Sequence, residues 1–199
     1  MHRVSIERSA KGSLIIIEGI GEFASPLEPD KLPLDGAELS EEEVEAFVAS
    51  LDKAALAFGA KMLAMRLMTR GMLIKRMVEA GYDEGSAARA AERFEELGAM
   101  DDEDYARMFA EDRKLRGWGS VRIRAELKRR EVDENIIDTV LDELGDSSAA
   151  IEDFIRRRTG GNAVDRHTAD KIGAALVRKG FRWDEIRPVL RKYTSYDYD

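Results

Sequence analysis

The chain has 199 residues, of which 44% are hydrophobic, 36% charged and 7% aromatic, with a formal net charge of -8 at pH 7. This composition supports a packed core and favours surface-charged helices over a β-sandwich or barrel. With no cysteine, the chain lacks the residues for a disulfide scaffold or a Cys-ligated metal site. Its 2 histidines, His2 and His167, lie far apart in the sequence, so we expect neither a catalytic triad nor an imidazole metal site. Because it shows neither a signal peptide nor an apolar run near the roughly 20 residues of a membrane span, we expect a cytoplasmic protein with no membrane partner. No motif in the sequence predicts a cofactor.

Charge is unevenly distributed along the chain. Residues 1–112 carry 13 basic and 24 acidic side chains, a net charge of -11, whereas residues 113–199 carry 19 and 16, a net charge of +3. The overall negative charge therefore does not exclude an anionic partner for the second half.

The first 40 residues are rich in β-forming residues. Val4 and Ile6 alternate with polar residues, and an apolar run follows at residues 14–17, which predicts a small hairpin. Glycines and prolines over residues 19–36 are expected to break regular structure until Ser40.

Helical signals begin at Ser40. Ser40 and Glu43 have the spacing of a capping box, which predicts a helix start. A second helix is predicted from about Lys53 to Thr69, where Ala, Leu and Met recur at helical spacing.

From residue 54 onward the chain repeats itself about every 50 residues. Each block has a first helix, a short second helix with two large apolar residues four positions apart, a turn, and a third helix. The apolar pairs are Leu73/Met77, Ile123/Leu127 and Ile172/Leu176. Since one such unit buries little surface alone, the pattern predicts a mostly α protein with three tandem three-helix repeats in an elongated array.

The predicted organisation has five segments. They are a β-rich N-terminal segment (1–39), an N-terminal helix with the first repeat (40–98), the second repeat (99–145), the third repeat (146–192) and a frayed tail (193–199).

Two local motifs resemble catalytic or ligand sites but have simpler interpretations. The carboxylates at residues 101–104 precede a predicted helix, where acidic side chains offset the helix dipole, and their spacing matches no Ca²⁺ loop. Gly117-Trp118-Gly119 lacks the Gly-Lys-Ser/Thr ending of a phosphate loop and is interpreted as a turn between helices.

Basic residues are concentrated between Arg113 and Arg130, with Glu126 as the only acid. The eight cations are Arg113, Lys114, Arg116, Arg122, Arg124, Lys128, Arg129 and Arg130. Helical geometry places Arg124 with Lys128 beside the apolar seam and Arg122 with Arg129 on the opposite face. A solvated helix face is the alternative interpretation.

Three of these basic positions recur in the third repeat at an offset of 49 residues. The recurring pairs, here called the basic ridge, are Arg122/Lys171, Arg129/Arg178 and Arg130/Lys179. Such a ridge fits a phosphate backbone or an acidic protein groove. Nearby, Trp118 and Trp183 are candidates for stacking on bases, with core packing as the alternative.

The middle of the chain resembles the RecX family of recombination regulators. The resemblance rests on Asp101, Asp102, Tyr105 and Ala106, followed by Gly119-Ser-Val-Arg122-Ile123-Arg124-Ala-Glu126-Leu127. The turn at Arg130-Glu131-Val132 departs from the family pattern, which usually has Lys-Gly-Ile-like residues there.

The resemblance implies a regulator without catalytic residues that binds the RecA recombinase, particularly its filament on DNA, and restrains ATP hydrolysis and strand exchange. We expect a monomer whose partners are this filament and, as a further candidate, single-stranded DNA. The alternative is a helical DNA-binding protein that acts on single strands without recombinase contact. The candidate contact residues are Arg113, Arg116, Arg122, Arg124, Lys128, Arg129, Arg130, Lys171, Arg178 and Lys179.

Overall fold

The computed structural model describes residues 1–9 and 12–194. The strands of this part are β1 (His2–Ser9), β2 (Gly12–Ile17), β3 (Gly21–Ser25) and β4 (Glu38–Leu39), with a 3-10 turn at Pro29–Lys31. Its helices are α1 (Glu41–Met65), α2 (Arg70–Glu79), α3 (Glu84–Glu96), α4 (Asp102–Leu115), α5 (Ser120–Arg129), α6 (Glu134–Glu143), α7 (Ser148–Thr159), α8 (Arg166–Arg178) and α9 (Trp183–Arg191). The mostly helical class and the β-rich beginning are therefore confirmed.

The chain forms two compact units, one ending at Asp102 and the other beginning at Glu103. The first unit contains the sheet and α1–α3, and the second contains α4–α9. The finer division into five segments stays a prediction.

The predicted hairpin is present as β1 and β2, which pair antiparallel from Val4↔Ile17 to Ser9↔Gly12. It belongs to a larger four-stranded antiparallel sheet in the order β3-β2-β1-β4, and the sequence did not predict β3 and β4. The expected break over residues 19–36 was wrong in part, because Gly19 adopts a φ of 79° in a tight turn that leads into β3. Glycine there reverses the chain and extends the sheet. One face of the sheet, with Val4 and Ile15, packs against Phe47 and Leu51 of α1.

The two helices predicted between residues 40 and 69 are one continuous helix, α1. Ser40 caps it, and the predicted capping box with Glu43 is present. No glycine or proline interrupts the chain around Leu51, and the buried positions continue at helical spacing to Ala55 and beyond. The first half of α1 therefore covers the sheet while the second half packs with α2 and α3.

Three groups of three helices follow one another along the chain, as predicted. The six large apolar residues of the second helices are at most 3% exposed: Leu73, Met77, Ile123, Leu127, Ile172 and Leu176. Each group builds its own buried cluster around them. The apolar spacing thus identified the core correctly.

The second helix of every group ends in the same left-handed turn. The left-handed residue is Gly81 (φ 97°) after α2 and Gly180 (φ 91°) after α8, whereas it is Glu131 (φ 58°) after α5. In the α5 turn the Val132 amide donates to the Leu127 carbonyl at 3.2 Å, the bond that also closes the two glycine turns. The fold therefore requires a left-handed residue at a position where this chain has glutamate.

Glu131→Gly should stabilise the protein by about 1 kcal/mol, because a residue with a Cβ is strained in the left-handed region and glycine is not. Urea unfolding of the variant and the parent measures the difference. The reverse change at the corresponding position of the first group, Gly81→Ala, is the control and should destabilise. A Glu131→Gly variant less stable than the parent would contradict the prediction.

The C-terminal boundary differs from the expected frayed tail. Tyr193 is 9% exposed and belongs to the core of the third group, with its hydroxyl 3.3 Å from Glu152. Thr194 pairs with Val164 in an isolated bridge. These two residues are held because the Tyr193 ring fills space beside α7 and α9, whereas residues 195–199 lie outside the described residues.

No helix in the described part of the chain has the length and apolar content of a membrane-spanning segment.

Candidate basic interface

The second and third helix groups meet through their backbones. The Gly119 amide donates to the Lys179 carbonyl at 2.9 Å, and the Val121 amide donates to the Gly180 carbonyl at 3.0 Å. Gly119 is the N-cap of α5 and offers no side-chain cap. The turn after α8 therefore satisfies amides at the start of α5 that would otherwise lack a helical partner.

This contact, here called the glycine junction, depends on two glycines. A Cβ on Gly119 would lie 2.2 Å from the carbonyl carbon and oxygen of Gly180. A Cβ on Gly180 would lie 2.4 Å from the Cβ of Arg122. Because there is no room for side chains here, the junction brings Arg122 of one group against the Lys179–Gly180 turn of the next.

Arginines and aromatic rings alternate along α4 and α5, beginning at the family motif. The Arg130 guanidinium donates to the Tyr105 hydroxyl at 2.5 Å and lies 4.6 Å from the centre of the Phe109 ring. Arg113 lies at the same distance from that ring. Arg130 also contacts Glu126 and is 27% exposed. It therefore supports the packing of α4 on α5, and only part of its side chain is available to a partner.

The series continues to the start of α5. The Arg113 guanidinium lies 5.1 Å from the centre of the Trp118 ring, and that of Arg122 lies 3.8 Å from it. Gly117 adopts a φ of 74° in the turn before Trp118, so the interpretation of Gly117-Trp118-Gly119 as a helix-to-helix turn is confirmed. Two guanidinium groups occupy the Trp118 ring, which leaves less of it for a base than the sequence suggested.

Six of the ten candidate contact residues have carboxylate partners within the chain: Arg113, Arg116, Arg124, Lys128, Arg129 and Arg130. Arg124 lies 2.5 Å from both Glu134 and Asp138, and its hydrogen bond to Asp138 raises the pKa of the guanidinium. Lys128 bonds to the same Glu134 at 2.6 Å and lowers the pKa of that carboxyl group. These pairs join α5 to α6.

Four candidates have no ion pair with any residue of the described chain: Arg122, Lys171, Arg178 and Lys179. Lys171 and Arg178 are exposed and stand seven positions apart, two helical turns, on α8. Lys179 is half-buried, with its Nζ donating to the Gly117 carbonyl at 3.4 Å. These four residues, here called the unpaired set, lie beside or along α8 and at the glycine junction.

The members of the basic ridge differ in how accessible they are to a partner. Arg122 and its repeat equivalent Lys171 are both exposed and have no ion pair with any described residue. Arg129 is 74% exposed although it is bonded to Glu126. Arg130 and Lys179 are each half-buried against neighbouring groups. Sequence periodicity found the recurring charges, but it could not find their acidic partners.

The two structural units differ in net charge from the two halves compared in the sequence. Residues 1–102 carry 12 basic and 20 acidic side chains, a net of -8, and residues 103–199 carry 20 of each, a net of 0. The whole formal charge of the chain therefore belongs to the first unit. In the second unit, any local excess of positive charge depends on which cations have acidic partners.

The acidic motif at the start of α4 has a structural role. The Arg70 amide donates to the Asp102 carboxylate at 2.7 Å, so Asp102 helps to cap α2 as well as starting α4. Burial raises the pKa of Asp102, and the bond from Arg70 opposes that shift. Ala106 is fully buried in the same helix. Asp102 thus helps to cap α2, whereas the predicted capping of α4 by this cluster stays a prediction.

The glycine junction and the support of Arg122 by Trp118 were missed in the sequence. A glycine immediately before the Ser120 that opens α5, together with a glycine in the turn after α8, was the available signal. It does not reveal which turn the first glycine contacts.

These features define a protein of tandem three-helix groups with a β-rich N-terminal segment and a set of unpaired cations in its second unit. A family model described as RecX, second three-helix domain, matches residues 101–141. The regulatory protein RecX of Halorhodospira halophila (strain DSM 244 / SL1) is 34% identical over 129 residues, covering 64% of this chain and 80% of that protein. That of Mycobacterium sp. (strain JLS) is 30% identical over 139 residues, covering 65% and 76%. The chain belongs to the RecX family of regulatory proteins, which confirms the resemblance.

Solved structures agree in fold. A crystal structure of regulatory protein RecX matches with a TM-score of 0.63 at 19% identity, covering 96% of this chain and all (100%) of that one. A crystal structure of RecX from Lactobacillus salivarius matches with a TM-score of 0.63 at 18% identity, covering 73% and 97%.

Proposed function

We propose that this protein binds the RecA recombinase on its DNA filament and restrains ATP hydrolysis and strand exchange. Its family supports a regulatory role, and the recombinase is the partner that the family resemblance implies. In this proposal it acts as a cytoplasmic monomer without a cofactor or a catalytic residue of its own.

The unpaired set is the observation that carries the proposal. The second unit has as many acidic as basic residues. An exposed cation without an acidic partner there has a positive charge that no other residue of the unit neutralises by an ion pair. Arg122 and Arg178 are such cations among the described residues, whereas Lys171 has no ion pair but is attracted to Asp165 at longer range. A filament offers them closely spaced phosphates on the DNA and carboxylates on the recombinase, both of which bind guanidinium and ammonium groups.

A row of cations would also bind naked single-stranded DNA. The alternative function, DNA binding without recombinase contact, must therefore be distinguished by experiment. Phosphate contacts of this kind release counterions, so affinity falls steeply as salt rises. A DNA-only protein therefore shows no preference for a coated strand, and its binding is lost at moderate salt.

Co-sedimentation with recombinase filaments and with naked single-stranded DNA, each at about 50 mM and 200 mM salt, tests the proposal. We expect filament binding to persist at the higher salt while binding to naked DNA is largely lost. Recombinase ATP hydrolysis on single-stranded DNA, measured with increasing amounts of the protein, should fall in parallel with filament binding. Equal binding to both substrates at both salts, with ATP hydrolysis unchanged, would support the DNA-only alternative.

A further inference from the structure

We propose that Trp118 is a positioning residue that holds Arg122 as an unpaired guanidinium, which binds a phosphodiester of the DNA in the filament together with Lys179. The proposal rests on the proposed function and specifies the contact that its basic surface makes. Two observations carry it, namely the contacts around Arg122 and the geometry of the glycine junction.

Arg122 is unpaired because its natural partner is already occupied. On a helix, an arginine pairs most readily with a carboxylate three or four positions away, and Glu126 lies four positions after Arg122. The two oxygens of Glu126 are instead bonded to Arg129 and Arg130. Arg122 extends in the other direction, to the ring of Trp118 four positions before it, at 3.8 Å from the ring centre.

An indole ring holds a guanidinium differently from a carboxylate. Stacking attracts the cation through the face of the ring and leaves the N–H groups at the edge of the guanidinium plane free to donate. A carboxylate partner would use those same donors. The Trp118 contact therefore restricts the orientation of Arg122 while keeping its fork available for a bidentate acceptor.

The glycine junction brings a second cation to the turn that carries Trp118. The Cβ of Arg122 is in contact distance of the Gly180 position, directly after Lys179. The Lys179 Nζ bonds to the carbonyl of Gly117, the residue next to Trp118. The Arg122 guanidinium and the Lys179 ammonium group, which come from two different helix groups, thus both contact the Gly117–Trp118 turn.

This pair suits a phosphodiester for two reasons. Arginine binds two phosphate oxygens at once, and lysine adds a point charge beside it. Along α8, Arg178 and Lys171 continue the unpaired set away from the junction, which fits a ligand whose negative charges repeat along a strand. A single carboxylate on a protein surface would use the junction alone.

A double-mutant cycle tests the positioning role. The full-length parent, Trp118→Leu, Arg122→Ala and the double variant are titrated against recombinase filaments on single-stranded DNA and against the naked oligonucleotide at low salt. Trp118→Leu should weaken binding to both about threefold to fivefold, and Arg122→Ala about tenfold. In the Arg122→Ala background, Trp118→Leu should have no further effect on binding, because the other guanidinium at the ring, that of Arg113, is bonded to Asp112 and mostly buried.

Conservative variants separate positioning from packing. Trp118→Phe keeps an aromatic face and should bind within about twofold of the parent, since stacking on phenylalanine is weaker but retained. Arg122→Lys keeps the charge and loses the fork, so it should bind severalfold more weakly with an unchanged salt dependence. Because the Arg122 side chain is exposed, Arg122→Lys should fold normally. It therefore provides the test if Trp118→Leu fails to fold.

Each contrary result has a distinct meaning. Equal losses from Trp118→Leu in both backgrounds, or parental binding by Arg122→Lys, would overturn the positioning role while leaving the proposed function intact. Weaker filament binding by Arg122→Ala with unchanged binding to the naked oligonucleotide would overturn the phosphodiester assignment and point to an acidic recombinase surface. A parent that binds neither substrate would overturn both proposals.

Discussion

Replacing Arg122 and Arg178 together by glutamate should weaken filament binding by about 100-fold, the largest functional effect that we expect from any pair of surface residues. Both side chains are exposed and have no ion pair within the described chain. Their reversal therefore removes two contacts to anions and adds two repulsive charges without breaking an internal pair. Filament co-sedimentation and recombinase ATP hydrolysis are the measurements, made after circular dichroism confirms the helical fold.

Lys53 and Lys61 provide the matched control. Both are exposed on α1 in the first unit, and their replacement by glutamate changes the net charge by the same amount. Binding by this control should stay within about twofold of the parent if local contacts matter rather than overall charge. If the folded Arg122/Arg178 reversal inhibits the recombinase as well as the parent does, the unpaired set is only a solvated surface.

Gly180→Ala and Gly119→Ala should each lower the free energy of unfolding by about 3 kcal/mol, a large stability effect for a single glycine substitution. At Gly180 the new methyl group meets the backbone nitrogen of Arg122 at 2.6 Å, at a φ of 91° that disfavours any side chain. At Gly119 it meets backbone atoms at 2.2 Å. Backbone atoms cannot move aside as a flexible side chain can, so the junction must open.

Gly145→Ala separates this clash from ordinary backbone strain. Gly145 has a φ of 64°, and a Cβ there would meet nothing within 4 Å. It should therefore cost only about 1 kcal/mol, the strain of the left-handed conformation. Urea unfolding of the three variants measures the difference. Equal losses for Gly145→Ala and Gly180→Ala would show that the close approach at the junction contributes nothing.

The repeats could be predicted from the sequence because their signals are local. The spacing of Ile123 and Leu127 on one helix face is a property of ten consecutive residues, and both side chains are buried as expected. The capping box at Ser40 requires only Glu43, three positions later. The family motif around Tyr105 was equally visible, since it is a continuous stretch of chain.

The errors arose where local signals admit two outcomes. Glycine at position 19 is compatible with the end of a sheet or with a turn to another strand, and the pairing of β2 with β3 decides between them. Tyr193 stands in a polar stretch without apolar periodicity. It is nevertheless buried because α7 and α9 leave a space that its ring fills.

The availability of each basic residue depended on the tertiary structure. Arg124 and Arg122 lie two positions apart on α5, yet the first is bound to two carboxylates of the α6 segment and the second rests on Trp118. Sequence spacing establishes the face of a helix on which a charge lies. Only the packing of other helices establishes whether an opposite charge reaches it, because ion pairs require approach within a few ångströms in space and not along the chain.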